Sequence, residues 1–170
     1  MERKTIRKWW WVWNFDKEEE WVEEMARNGW TLDGVGLCTY HFIKTEPGEY
    51  SVRMQLLPIA DENADYTALL EESGAERVGR MVQWVYYRKK TADGPFELFS
   101  DLDSRIGHLD RIAKMLMLIT GANLLIGLVN TFNPNNLGWI NLLCATLLTY
   151  ALGRIHGKKE SLERERRFRE

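Results

Sequence analysis

The sequence is poor in residues that staple, ligate or attack. Only two of its 170 residues are cysteine and three are histidine. Cys38 and Cys144 lie far apart in the chain, which excludes a disulfide framework and suits a reducing compartment. Cys38 and His41 form a Cys-x-x-His pair, two ligands where zinc takes at least three from protein, so no metal is expected. The glycines form no phosphate-binding fingerprint. His108 and His156 have no nucleophile or acidic partner placed by spacing, and the carboxylates show no paired arrangement. Neither enzymatic activity nor a cofactor is therefore expected. The N-terminus is basic, but the aromatic run after it is short and lacks a small-residue cleavage site, so no cleavable signal is expected.

Charge is missing altogether from residues 115–153. Two apolar arms, 115–132 and 137–153, flank an Asn-Pro-Asn-Asn turn, and each is near the length a helix needs to cross the hydrocarbon. So short a turn predicts an antiparallel transmembrane hairpin, because a soluble pair that is apolar all round would need a large core around it. Arg111 and Lys114 precede the first arm, and Arg154, His156, Lys158 and Lys159 follow the second. Short cationic flanks stay inside, which predicts a multi-pass protein of a bacterial cell membrane with both termini cytoplasmic. Folding the hairpin about residues 134 and 135 puts Asn123 at the depth of Thr146 and Thr120 near Thr149, so membrane-packing polar pairs are expected there.

Residues 1–110 carry 21 acidic against 14 basic side chains, and residues 111–170 carry 4 against 9. The acidic part suits no phosphate backbone, so no nucleic acid partner is expected. The basic part suits the anionic headgroups of a lipid bilayer.

The N-terminal part repeats itself at a shift of 45 residues. Trp21 falls on Tyr66, Met25 on Leu70, Asn28-Gly29 on Ser73-Gly74, Gly34 on Gly79 and Phe42 on Tyr87, with Asp16 on Asp61. Alternation at Trp9, Trp11 and Trp13, and at Tyr50, Val52, Met54 and Leu56, predicts a first strand in each copy. Asp16 with Glu19 is a capping-box pattern, and Gly29 or Gly74 ends the helix that follows. Further strands are expected at 31–37 and 39–45, then at 75–81 and 82–89. The fold class predicted is α+β: two β-α-β-β units forming one antiparallel sheet with both helices on one face, then the helical hairpin. Helix one offers Trp21, Val22, Met25 and Ala26 to the sheet, and helix two Tyr66, Leu69 and Leu70. The run Glu18, Glu19, Glu23, Glu24 and Arg27 reads as a solvated face.

The other sheet face is the candidate binding surface. Strand phase places Trp10, Arg53, Gln55, Trp84, Tyr86 and Arg88 there beside His41, aromatics interleaved with hydrogen-bonding groups that could stack a planar ligand. For any single one of these aromatics, packing in the core or against a second copy of the chain is the favoured account, because seven of the eight tryptophans lie in this domain and a small core needs them. The domain plan is 1–98 for the duplicated cytosolic part, 99–114 for an amphipathic connecting helix opened by Ser100 and Asp103, 115–153 for the hairpin and 154–170 for a charged tail.

The stretches KWWWVWNFDKEEEWVEEMARNGWTL from Lys8, EPGEY from Glu46 and GPFELFSDLDSRIGHLDRI from Gly94 resemble a bacterial domain-of-unknown-function family, number 2812, over about residues 4 to 112. The resemblance implies a membrane-anchored member and, as partner, a PadR-type transcription regulator; it supplies no catalytic residues. The repeated layout is also similar in topology to gyrase-inhibitor-like effector-binding domains, which hold small cationic or aromatic molecules. Two functions follow as expectations. One is a membrane-tethered regulatory module sensing a small aromatic or cationic ligand; the other is an interaction module that holds a regulator or forms a homo-oligomer.

Overall fold

A computed structural model describes residues 2–58, 64–99, 101–132 and 137–169. The predicted turn at 133–136, Asp61 and the Ser100 cap lie outside the described residues. The chain divides into two compact units, Met1–Leu98 and Phe99–Glu170.

The first unit runs β1 (Arg3–Arg7), α1 (Phe15–Arg27), β2 (Trp30–Gly36), β3 (Thr39–Lys44), β4 (Tyr50–Leu56), α2 (Ala64–Glu72), β5 (Ala75–Met81) and β6 (Trp84–Lys90). This is the β-α-β-β unit twice, in the mixed α+β class expected. The two copies share backbone detail. Each forms a three-stranded antiparallel sheet of the same order, β1-β3-β2 and β4-β6-β5. The ladders shift register at Leu32/Gly34 in one and Arg77/Gly79 in the other. Gly29 and Gly74, with φ of 79° and 85°, take the left-handed step that ends each helix and turns the chain into the next strand.

Three expectations are corrected. The first strand is not the Trp9–Trp11–Trp13 alternation but Arg3–Arg7, an almost fully exposed, basic edge strand with no hydrophobic period to betray it; Val12–Asn14 form a 3-10 turn instead. The capping box is not used: Asn14 stands at the N-cap without a side-chain bond, and the Glu19 carboxylate goes elsewhere. The single sheet with helices on one face is two sheets. Gly79 abuts Val35, and Arg88, paired across the ladder with Glu76, donates to the Leu32 carbonyl. These contacts join residues about one repeat length apart, so β2 and β5 run alongside in the same direction.

The β4-β6-β5 sheet is covered on both faces. Val85, Tyr87, Leu57, Ala75 and Phe96 form a core against Leu70 of α2, while Leu69 stays exposed. Tyr86 and Trp84 face the other way, toward α1. That helix also covers the free edge of β4. The Met54 and Val52 N–H groups donate to Glu19 Oε2 and Glu23 Oε2, each at 2.8 Å. The match is geometric: four residues of helix rise about 6 Å, and two residues of strand about 6.6 Å. Of the face expected to be solvated, Glu18 and Glu23 are therefore buried and Glu19 is engaged, leaving Glu24 and Arg27 exposed.

The second unit is a helical hairpin of α3 (Leu102–Thr131) and α4 (Gly138–Arg169). Asp101 caps α3, accepting from the Ser104 N–H at 2.6 Å. The connecting helix and first arm are one helix, unbroken at Gly107, and the second arm continues into the tail. Ile106, Leu109, Ala113, Leu116 and Thr120 form a buried seam spaced three and four apart as a heptad requires, with Gly127 one heptad beyond Thr120 and His108 and Ile112 buried beside it. Small residues let the helices approach closely: a Cβ on Gly127 would stand 2.9 Å from Leu142 Cδ2. Asp110–Lys159 and Asp103–Arg166 ion pairs, both 2.7 Å, join the charged ends. Among the described residues the polar pairing expected between the arms is not made. Asn123 donates to Ile119 O and Thr146 to Leu142 O, each within its own helix, as do Thr120 and Thr149. Large apolar side chains such as Leu118, Leu125, Val129 and Leu143 point outward. Both helices are long and apolar enough to cross a membrane.

Candidate functional site

The chemistry of the first unit concentrates on a face of α1. Glu18, Trp21, Val22, Met25 and Ala26 recur at helical spacing, so the stripe that buries Val22 and Ala26 carries Glu18 into the core with them, 4% exposed. Two phenols meet it there, one from each repeat. Tyr40 of β3 donates to Glu18 Oε1 at 2.5 Å, and Tyr86 of β6 donates to the same oxygen. Burial pushes the Glu18 carboxyl above the usual carboxylate range, while the hydrogen bonds from Tyr40 and Tyr86 pull it partly back. Both phenols are held well above the usual tyrosine range, by burial first and next by Glu18, through its hydrogen bond at Tyr40 and its charge at Tyr86. The group can therefore exist as a carboxylate with two donors, or take up a proton more readily than a surface glutamate does.

Aromatic rings extend this cluster toward the surface. Trp21 meets Tyr40 edge-on at 5.1 Å and Phe42 at 5.7 Å, and Trp10 lies 6.0 Å from Trp21. Over these two indoles sits a cation. The Lys8 Nζ is 4.2 Å from the Trp10 ring centroid and 4.4 Å from that of Trp21, the geometry in which a ring quadrupole attracts an ammonium. Trp10 Nε1 is buried and has no hydrogen-bond acceptor among the described residues.

The residues placed by sequence on one open sheet face do not share a surface. Trp84 and Tyr86 are buried, the first stacked on Phe15 at 5.5 Å and the second hydrogen-bonded to Glu18. Gln55 is buried on the opposite face, where Tyr66 donates to its Oε1. Arg53 pairs with Glu23 at 3.1 Å. Arg88 reaches between the sheets to Glu76 at 2.9 Å and Asp33 at 3.3 Å. His41 is exposed, bonded to Thr5 on the edge strand. Of the set, only Trp10 and Tyr86 join the α1 cluster, at its two ends. Glu18, Tyr40, Trp21 and Lys8 were missed as site residues. The signal for Glu18 was its phase: it shares the helical register of Trp21 and Val22, not that of Glu20 and Glu24.

No group of three or more metal-ligating side chains occurs among the described residues. No curated protein and no solved structure matches the chain. The family described as "Protein of unknown function (DUF2812)" matches residues 14–120, a span that opens just before α1, takes in both sheets after β1 and runs into α3. The cluster built on Glu18 thus lies within the matched span except for Lys8 and Trp10, and the chain belongs to the DUF2812 family.

Proposed function

We propose that this chain is a membrane-tethered regulatory binding module, not an enzyme, that senses a small cationic or planar aromatic molecule. The observation that carries the reading is Lys8, whose ammonium occupies the space over Trp10 and Trp21 with the Tyr40–Glu18 pair behind. A free organic cation has the same charge and a larger apolar surface, and a lysine side chain can leave by bond rotation alone. The site thus holds an internal stand-in that ligand would displace. The tether is the pair α3 and α4, crossing at 115–132 and 137–153 with both termini cytoplasmic. The outward-facing apolar residues and the cationic flanks support it.

The test is tryptophan fluorescence of the full chain in detergent, titrated with benzyltrimethylammonium and with tetraphenylphosphonium. Saturable quenching is expected, tighter in Lys8→Ala because the competitor is gone, and lost in Trp21→Ala. A Lys8→Ala protein that melts normally and shows no saturable response to either cation defeats the reading.

A further inference from the structure

Both repeats carry an exposed aliphatic residue at the same hairpin tip. Each β-hairpin of the first unit closes on a two-residue loop, Leu37–Cys38 between β2 and β3 and Val82–Gln83 between β5 and β6. Such loops favour Asn-Gly, Asp-Gly or glycine, because they need a positive φ and face water. Here Cys38 has φ 52° and Val82 φ 57°, and a β-branched residue is strongly disfavoured in that region. Leu37 and Val82 are equivalent under the repeat and stand 78% and 73% exposed. Neither packing nor turn chemistry accounts for a large aliphatic side chain at either tip. An exposed aliphatic side chain at the same tip in both copies, in one of them on a left-handed β-branched residue, points to a use outside the unit.

Because β2 and β5 run in the same direction, both hairpins turn at the same end of the unit. Two exposed tryptophans of this unit, Trp9 and Trp11, gather at that end. The Lys8 N–H donates to Cys38 O, carrying the β1 ladder up to the first tip. Trp9 then lines an open depression with Leu37, Arg7, Lys8 and Thr39. Trp11, also exposed, stacks on Trp13 at 4.8 Å and meets Trp9 edge-on at 5.7 Å. Aliphatic tips, amphipathic indoles and an exposed Arg7 at one end match the layered chemistry of a bilayer surface, where chains, the interfacial belt and anionic headgroups take one each.

We infer that this end of the first unit docks on an anionic lipid surface, with Leu37 and Val82 entering the headgroup boundary, Trp9 and Trp11 lying at it and Arg7 on lipid phosphate. A membrane is the occupant favoured over a protein partner because the same chain carries two helices with the length and composition to cross one. The inference rests on that spanning reading, and independently of the cation site.

The experiment uses the full chain reconstituted in phosphatidylcholine vesicles with and without phosphatidylglycerol. In a Cys38→Asn, Cys144→Ala background, an environment-sensitive fluorophore is attached through Leu37→Cys, Val82→Cys, the exposed control Glu20→Cys on α1, or Leu125→Cys on α3. Deep lipid-borne quenchers acting on position 125 report the spanning helices separately. With that satisfied, positions 37 and 82 are expected to shift to the blue, to be quenched by shallow lipid-borne nitroxides and to lose iodide quenching, most strongly with phosphatidylglycerol, while position 20 stays open to iodide. Iodide quenching at 37 and 82 equal to that at 20 overturns the inference. So does shielding from iodide without lipid quenching, which would assign the tips to a protein contact.

Discussion

At the scale of single residues, Glu18 shows how a charge can be drawn inside by periodicity alone. Its folded-state pKa is raised above the ordinary 4.5, so the folded protein binds a proton that the unfolded chain has released. Stability should therefore be highest below that ordinary value and fall as pH rises through the window up to the raised pKa. Melting temperatures of wild type and Glu18→Gln across that range should diverge, the variant lacking this slope because Gln keeps the acceptor without the charge. Glu18→Leu should instead cost about 2–4 kcal/mol, since two buried phenols lose their acceptor; denaturant unfolding of the full chain in detergent measures it. Val82 is the opposite case. Val82→Gly should stabilise the first unit by about 1 kcal/mol by relieving a left-handed valine, read as a higher melting temperature.

Among elements, the pairing of α1 with β4 is the one that propensity does not describe. A free strand edge invites another strand, and here two glutamates four apart on a helix take the outward N–H groups two apart on the strand. Glu23 also accepts from Ser51 and pairs with Arg53. Glu23→Ala should cost about 2 kcal/mol and make the protein prone to associate through β4, whereas Glu24→Ala, exposed on the same helix, should stay within about 0.5 kcal/mol. Denaturation together with light scattering separates the two outcomes. In the hairpin the corresponding device is close approach. Gly127→Leu should separate α3 from α4, because its side chain would overlap Leu142, and the loss is measurable as weakened disulfide trapping between cysteines placed across the seam.

The whole molecule combines two kinds of construction. In the first unit two charged groups are drawn in and satisfied there: Glu18 by two tyrosines, Arg88 by Asp33, Glu76 and a carbonyl. In the second the seam passes from Ile106, Leu109 and Leu116 to the small residues Thr120, Gly127, Ala145 and Ala151, and along the uncharged arms bulky side chains such as Leu118, Leu125, Val129 and Leu143 face outward. If α3 and α4 cross with both termini cytoplasmic, a fluorescent protein fused after Glu170 should fold and emit in cells, while a periplasm-dependent phosphatase at the same position should be inactive. The opposite pattern would reverse the orientation.

Local rules made much of this legible. The 45-residue repeat, the β-α-β-β order, the glycine helix ends at 29 and 74 and the two uncharged arms follow from turn chemistry and side-chain period, which act between near neighbours in sequence. Where two patterns coincide, sequence misleads. Trp9, Trp11 and Trp13 alternate as a strand would, yet the strand is the polar Arg3–Arg7, paired on only one side and needing no apolar face. Tertiary structure alone decided which carboxylates are buried, that the open sheet face is filled, and that Asn123 and Thr146 bond within their own helices. Each depends on what a distant segment brings: a phenol from each repeat to Glu18, a strand edge to Glu19 and Glu23, and a backbone carbonyl always nearer than the facing helix to a short polar side chain.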